Sequence, residues 1–224
     1  MRVEIYSDVV CPWCYIGKRR FEAALSEMAR RDGAGRPDIE IVGRPYQLDP
    51  TAPATPTPVI DAYARKFGGP EQAFRIIDHV TQVAAGEGLQ FRMEEAVRAN
   101  TFDAHRVLWL AEREGGSALQ NAVKERLLRA YFSEGRDVGD HVTLVALAAE
   151  AGMDEGIVAD ALACDTGVAE VRAELATATE RGITAVPTFV IDGQWGIPGA
   201  QDAEVFVRVL DKMMMRENPA AGSD

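Results

Sequence analysis

Apolar and polar residues alternate from the first positions of the chain. Val3 and Ile5 interleave with Arg2 and Glu4, the period of two that marks a half-buried strand, ending near Ser7. From Trp13 to about Arg31 the period lengthens: Ile16, Phe21, Ala24, Leu25 and Met28 recur at helical spacing until Gly33 and Gly35 end the run. A second strand is predicted from Asp38 to Arg44, where Ile39 and Ile41 flank Glu40 ahead of Pro45. Five of the eleven prolines, at 45, 50, 53, 56 and 58, crowd the next stretch and exclude both a helix and an inner strand. From about Val59 to Gly182 the pattern predicts helices separated by turns at Gly68-Gly69-Pro70, Gly86-Glu87-Gly88, Gly115-Gly116, Gly135 and Gly152. Alternation returns in Phe189-Val190-Ile191, which runs through the hairpin signal Asp192-Gly193 into Gln194-Trp195-Gly196-Ile197. Asp202 is then placed to cap a helix whose stripe is Val205, Phe206, Val209, Leu210 and Met213.

The order is therefore strand, helix, strand, helical block, strand, strand, helix, with no internal repeat. If residues 59–182 are an all-helical insertion, segments 1–58 and 183–216 close into one compact α/β unit, and 217–224 is expected to be a disordered tail.

Charge and cysteine usage narrow the function. A formal net charge of −11 over 224 residues argues against a phosphate-binding surface, so nucleic acid is excluded as a partner. Charges interrupt the amino terminus at once, leaving no apolar core of a signal peptide, and no apolar run is long enough to span a bilayer. The expectation is a cytoplasmic protein without a membrane partner. Three cysteines are too few for a disulfide-stapled secreted domain, and two of them stand three apart.

Those two, in Cys11-Pro12-Trp13-Cys14, lie between the first strand and the first helix. At a helix start the first backbone N–H groups lack intrahelical partners and the macrodipole is positive, and both stabilise a thiolate on Cys11. Pro12 suits the first turn, since its φ is already helical and its missing N–H would have gone unpaired. Cys14, one turn further in, is expected to be the more buried thiol. The alternatives are a pair of structural thiols or half of a zinc site. Zinc needs two further ligands, and His79, His105 and His141 are far apart with no second Cys-X-X-Cys. A redox pair is favoured over both, with no metal. Pro187, directly before an apolar strand, starts an edge strand or carries a cis bond; residues alone favour trans.

The segments Cys11-Pro12-Trp13-Cys14-Tyr15-Ile16-Gly17-Lys18-Arg19-Arg20, Asn100-Thr101-Phe102-Asp103-Ala104-His105-Arg106, Val186-Pro187-Thr188-Phe189-Val190-Ile191 and Gly199-Ala200-Gln201 resemble, in order and across nearly the whole chain, the FrnE-type branch of DsbA-like oxidoreductases. The resemblance implies a thioredoxin-like α/β fold with a large helical insertion. It also implies Cys11 as attacking thiol, Cys14 as resolving thiol, and Val186-Pro187 as a cis-proline loop facing them. Pro12, Trp13, Val186 and Pro187 become active-site supports. The implied activity is disulfide exchange or isomerisation on protein substrates, with protein or small-molecule thiols and disulfides as partners. The dithiol itself would be the redox group, without a cofactor, and a small thiol could recycle it. Ala185 and Pro198 depart from the common Gly and Ser of relatives, which bears on the shape of the substrate groove. The neighbouring branch, similar to kappa-class glutathione transferases and hydroxychromene-carboxylate isomerases, usually has Ser in place of Cys11. That transferase or isomerase activity, or a redox-sensitive binding module, is the alternative. Monomer and homodimer both remain open.

Among lesser candidates, Lys18, Arg19 and Arg20 are expected to form a solvated face. Asp8 is expected to close the turn before Cys11 rather than relay a proton. His105 either lines the groove or satisfies a buried hydrogen bond, the latter slightly favoured. Asn100 and Thr101 are expected to cap a helix, and Cys164 to be a small buried hydrophobe.

Overall fold

In a computed structural model, which describes residues 1–33, 38–53 and 55–217, the chain runs β1 (Arg2–Ser7), α1 (Pro12–Asp32), β2 (Glu40–Pro45), β3 (Thr57–Pro58), α2 (Val59–Phe67), α3 (Pro70–Gly86) and β4 (Val97–Arg98). It continues α4 (Phe102–Glu134), α5 (His141–Glu150), α6 (Glu155–Ala163), α7 (Val168–Glu180), β5 (Thr188–Ile191), β6 (Trp195–Pro198) and α8 (Ala203–Glu217). Gly35 and residues 218–224 of the expected tail lie outside the described residues. No helix among the described residues is long and apolar enough to cross a membrane.

One four-stranded sheet has the order β2-β1-β5-β6. β1 pairs in parallel with β2, Val3 opposite Ile41, and antiparallel with β5, Val3 opposite Ile191. Because strand side chains alternate, Val3, Phe189 and Ile191 face α1 and α8, where they meet Phe21, Met28, Phe206 and Leu210. Phe21, Phe189 and Phe206 close this core with ring centroids 4.6–5.2 Å apart. Tyr6 and Val190 point to the other face and pack on Ala178 of α7. The β5–β6 hairpin turns at Asp192 (φ 47°) and Gly193 (φ 70°), the positive-φ pair that the Asp-Gly signal anticipates. The Asp192 carboxylate also accepts the Arg2 N–H at 2.6 Å.

The edge of β2 is covered by α4. The Gln120 amide accepts from Gly43 N at 2.6 Å and donates to Gly43 O at 3.1 Å, and Asn121 donates to Ile41 O at 3.0 Å. An otherwise open strand edge is thus paired by side chains of the helical block. Val9, Tyr15 and Ile16, which flank the cysteines, belong to the same core as Phe91, Val107, Leu127 and Phe132 of that block. The first turns of α1 therefore pack into the helical block and its later turns onto the sheet.

Two local expectations are corrected and a third is met. Residues 89–101 are not helical: Leu89, Phe91 and Met93 are buried while Gln90 and Arg92 are exposed, and β4 pairs with β3. The break expected at Gly115 and Gly116 is present inside α4, where their non-helical backbone (φ −141° and 68°) kinks the element into two helical stretches. Asp202 gives its backbone carbonyl to the first N–H groups of α8, while its carboxylate lies 2.9 Å from the Arg20 guanidinium.

Candidate active site

Cys11 is the N-cap of α1, in extended backbone (φ −92°, ψ 113°), and Pro12 occupies the first turn. The Cys11 carbonyl accepts the N–H groups of Cys14 (3.0 Å) and Tyr15 (3.4 Å), and Cys11 N donates to Asp8 O at 3.3 Å. The turn that presents the thiol is thus closed by the Asp8 backbone carbonyl, and not by its carboxylate, which accepts from Leu48. Facing it is the loop before β5. The Val186–Pro187 peptide is cis, and the Cys11 Sγ–H donates to Val186 O across 3.7 Å. Gly199 N donates to Pro187 O at 2.7 Å and Thr188 Oγ1 to Ala185 O at 2.8 Å, so both ends of the loop are pinned. Gly17, one turn of α1 beyond Cys14, lets the loop approach: a β-carbon there would sit 3.0 Å from Pro187 Cγ and 3.3 Å from Ala200 Cβ.

Both thiols are free and both are buried, Cys11 to 3% exposure and Cys14 to 4%. The expected contrast between an open and a hidden cysteine is absent at residue level, because the cis-proline loop lies against Cys11. Cys14 nonetheless differs chemically: burial, reinforced by the neighbouring Cys11 sulfur, pushes its thiol well up. Trp13 projects outward, 38% exposed, with its ring 6.3 Å from that of His79.

Behind the thiols the protein buries charge. Asp8 is fully buried; its Oδ2 accepts Leu48 N at 2.8 Å. His105 Nε2 lies 3.0 Å from Tyr46 O and 3.4 Å from Asp8 Oδ1. A carbonyl only accepts, so Nε2 carries the hydrogen and directs it to Tyr46, leaving Asp8 Oδ1 without a well-formed hydrogen bond. His105 therefore does not line the substrate side. It lines an enclosed cavity of about 40 Å³ between β1, β2 and α4, together with Cys14, Ser7 and Lys124. Lys124 was not anticipated. It stands on the buried stripe of α4 formed by Gln120, Leu127, Leu128 and Tyr131, and a lysine in an otherwise buried helical stripe is the signal that could have disclosed it.

Next to Val10, the residue before Cys11, is a groove of about 440 Å³ with Val59, Tyr63 and Tyr131 in its walls, Arg65 and Lys66 beside them, and Arg98 paired with Asp49. Burial, with Cys11 adding to it, pushes the Tyr63 phenol up to about 12.

The remaining candidates fall elsewhere. Lys18, Arg19 and Arg20 are not a solvated face: Lys18 and Arg19 pair with Glu22 and with Glu125 of α4, and Arg20 bridges Glu87 and Asp202 while donating to Ala200 O at 2.8 Å. Their job is to tie α1 to both neighbours, since the helical block leaves that face little solvent. Asn100 Oδ1 accepts Phe102 N at 3.0 Å and so caps α4, whereas Thr101, the N-cap residue, makes no side-chain cap. Cys164 is exposed rather than buried, at the end of α6, 3.1 Å from Thr166 Oγ1.

The model of the DSBA-like thioredoxin domain family matches residues 2–211 of the chain. A probable DsbA oxidoreductase, SCO1869 of Streptomyces coelicolor, is similar in structure with a TM-score of 0.86 and 40% identity over 96% of this chain and 90% of that one. The Bacillus subtilis protein YwbO is 29% identical over 212 residues, 94% of this chain and 96% of its own. The cytosolic disulfide reductase DsbM of Pseudomonas aeruginosa shares the fold, with a TM-score of 0.65 and 20% identity over 96% of this chain and 98% of that one.

Proposed function

The chain belongs to the DSBA-like thioredoxin domain family and is a thiol-disulfide oxidoreductase, and from that premise we propose that Cys11 attacks, Cys14 resolves, and the substrates are protein disulfides. The observation that carries this reading is the placement of Cys11 at the N-cap of α1 beside the Val186 carbonyl, with Cys14 one turn deeper. In the reductive direction the Cys11 thiolate attacks a substrate disulfide, one substrate sulfur leaves, and a mixed disulfide forms. Cys14 then attacks Cys11 Sγ, so the Cys11–Cys14 disulfide replaces the bond to substrate, which departs reduced by two electrons. The same steps run backward oxidise a dithiol. An extended substrate segment would pair with the Val186 backbone, the mode by which strands are recognised at open edges. Arg65 and Lys66, which line the groove next to Val10, support access for a small anionic thiol that recycles the pair. A reducing, cytoplasmic setting is part of the proposal, as is the FrnE-type branch, which rests on the four motif segments.

Trapping tests it. Cys14→Ala protein, purified under acid quench, is expected to carry reductant-sensitive protein adducts on Cys11, and Cys11→Ala none. Equal adducts on both variants, or none on either, would overturn the assignment; small-thiol adducts alone would favour the transferase activity.

A further inference from the structure

Lys124 is 7% exposed and, among the described residues, its ammonium has no hydrogen-bond or ion-pair partner. Burying an unpaired ammonium is expensive, and a methionine would fill the same volume without that penalty. Its charge interactions run first to Cys14, then to Asp8 and Cys11, with Lys18 opposing.

The other titratable groups lining the cavity are committed. Lys18 pairs with Glu22 and Glu125, and Arg44 with Glu4, Glu112 and Glu174. His105 gives its Nε2–H to Tyr46. Asp8 accepts from Leu48 through Oδ2 and has an unpaired Oδ1, but it lies behind the cavity wall and does not line it. What remains at the cavity wall is one thiol, Cys14, and one amine, Lys124. By volume the cavity can admit water between them.

We propose that Lys124, contributed by the helical block, is the proton acceptor for Cys14 in the resolving step. This rests on the assignment of Cys14 as resolver. In its unprotonated form Lys124 takes the Cys14 proton, and the Cys14 thiolate attacks Cys11 Sγ. The Cys11–Cys14 bond forms as the Cys11–substrate bond breaks, and the departing substrate sulfur keeps that electron pair and takes a proton from solvent. When an incoming thiol later reduces the pair, the Lys124 ammonium returns its proton to Cys14. Burial acts on the two groups in opposite senses, pushing the Cys14 thiol up and the Lys124 ammonium down, which narrows the gap that the proton must cross.

The test follows a single turnover of a fluorogenic disulfide peptide, resolving mixed-disulfide formation from release, in the native protein, Lys124→Met and Lys124→Arg. Positioned acid–base groups contribute roughly 10²–10⁴-fold. Release in Lys124→Met is therefore expected to slow about 10²-fold at pH 7 and to rise steeply with pH, while attack by Cys11 stays within about twofold of the native rate. Lys124→Arg places a permanent cation there that cannot accept a proton, so its release is expected to stay slow. Native release and an unchanged pH profile in Lys124→Met would overturn the proposal. So would full rescue by arginine, which would make Lys124 a counter-charge only. If no mixed disulfide forms even in native and Cys14→Ala protein, the assignment of Cys11 falls, and the role of Lys124 with it.

Discussion

Gly17→Ala sets two opposing effects against each other in the helix that carries the cysteines. Alanine is favoured over glycine in a helix interior by about 0.5–1 kcal/mol. Here, however, the new methyl would lie 3.0 Å from Pro187 Cγ and 3.3 Å from Ala200 Cβ. Carbon contacts are optimal near about 3.5–4.0 Å, so the cis-proline loop must withdraw by roughly 0.5–1 Å. Overpacking of that kind costs about 1–3 kcal/mol, leaving a net loss of roughly 0–2.5 kcal/mol and a fall in Tm of at most about 10 °C. Activity is expected to suffer more than stability, since a 1 Å misplacement can cost about 10²-fold in rate. The loop displaced is the one whose Val186 carbonyl meets Cys11. Insulin reduction measured beside a thermal melt reads both quantities, and Gly17→Val should deepen both losses. A Gly17→Ala protein that gains about 1 kcal/mol and keeps full activity would refute the reasoning, because it would show that Pro187 yields freely.

Glu174 is held above the usual carboxylate range by burial, with Glu112 and Glu4 adding and Arg44 opposing. A raised folded value means stability present at low pH and lost as pH climbs through that value, so Glu174→Gln should gain stability relative to the native chain between pH 4 and 7 in urea unfolding; a constant or reversed difference would contradict this. Gln120→Leu would leave Gly43 N–H and C=O unpaired at the β2 edge and is expected to lose about 2–4 kcal/mol, read as a lower urea midpoint; a change below about 0.5 kcal/mol would show that another group or water replaces the amide. Cys164→Ser should remove an exposed thiol from Ellman titration of the native protein while disulfide exchange stays unchanged, and loss of most turnover would promote Cys164 to a redox role.

What could be read from residues alone was local. The alternation at 3–7, the helical spacing after Cys14 and the Asp-Gly hairpin depend on a few neighbouring side chains, and all three appear in the fold. Leu89-Gln90-Phe91-Arg92-Met93 carried the same period-two signal but was absorbed into the surrounding helices; its three apolar residues are buried and its two polar ones are not. The run Lys18-Arg19-Arg20 misled for the opposite reason. Its charges are compatible with water, and only the distant Glu87, Glu125 and Asp202 show that they are ion pairs across packed elements.

The active site divides along the same line. Cys11, Pro12 and Cys14 are contiguous, so the chemistry of a helix-start thiol can be argued from four residues. The cis state of Val186–Pro187 was set by family resemblance, against the preference of the residues themselves. Lys124 and Cys14 are separated by five intervening helical or strand elements and brought to one cavity only because α4 covers the β2 edge. The helical block is consequently more than an appendage that widens the substrate surface. Its core includes Val9, Tyr15 and Ile16, its Glu125 holds Lys18 and Arg19, and its buried lysine shares a cavity with the second cysteine. Removing it would expose the first turns of α1, open the Cys14 cavity to solvent and take away the burial that pushes that thiol up. The redox helix therefore depends on the block for its packing as well as its electrostatics.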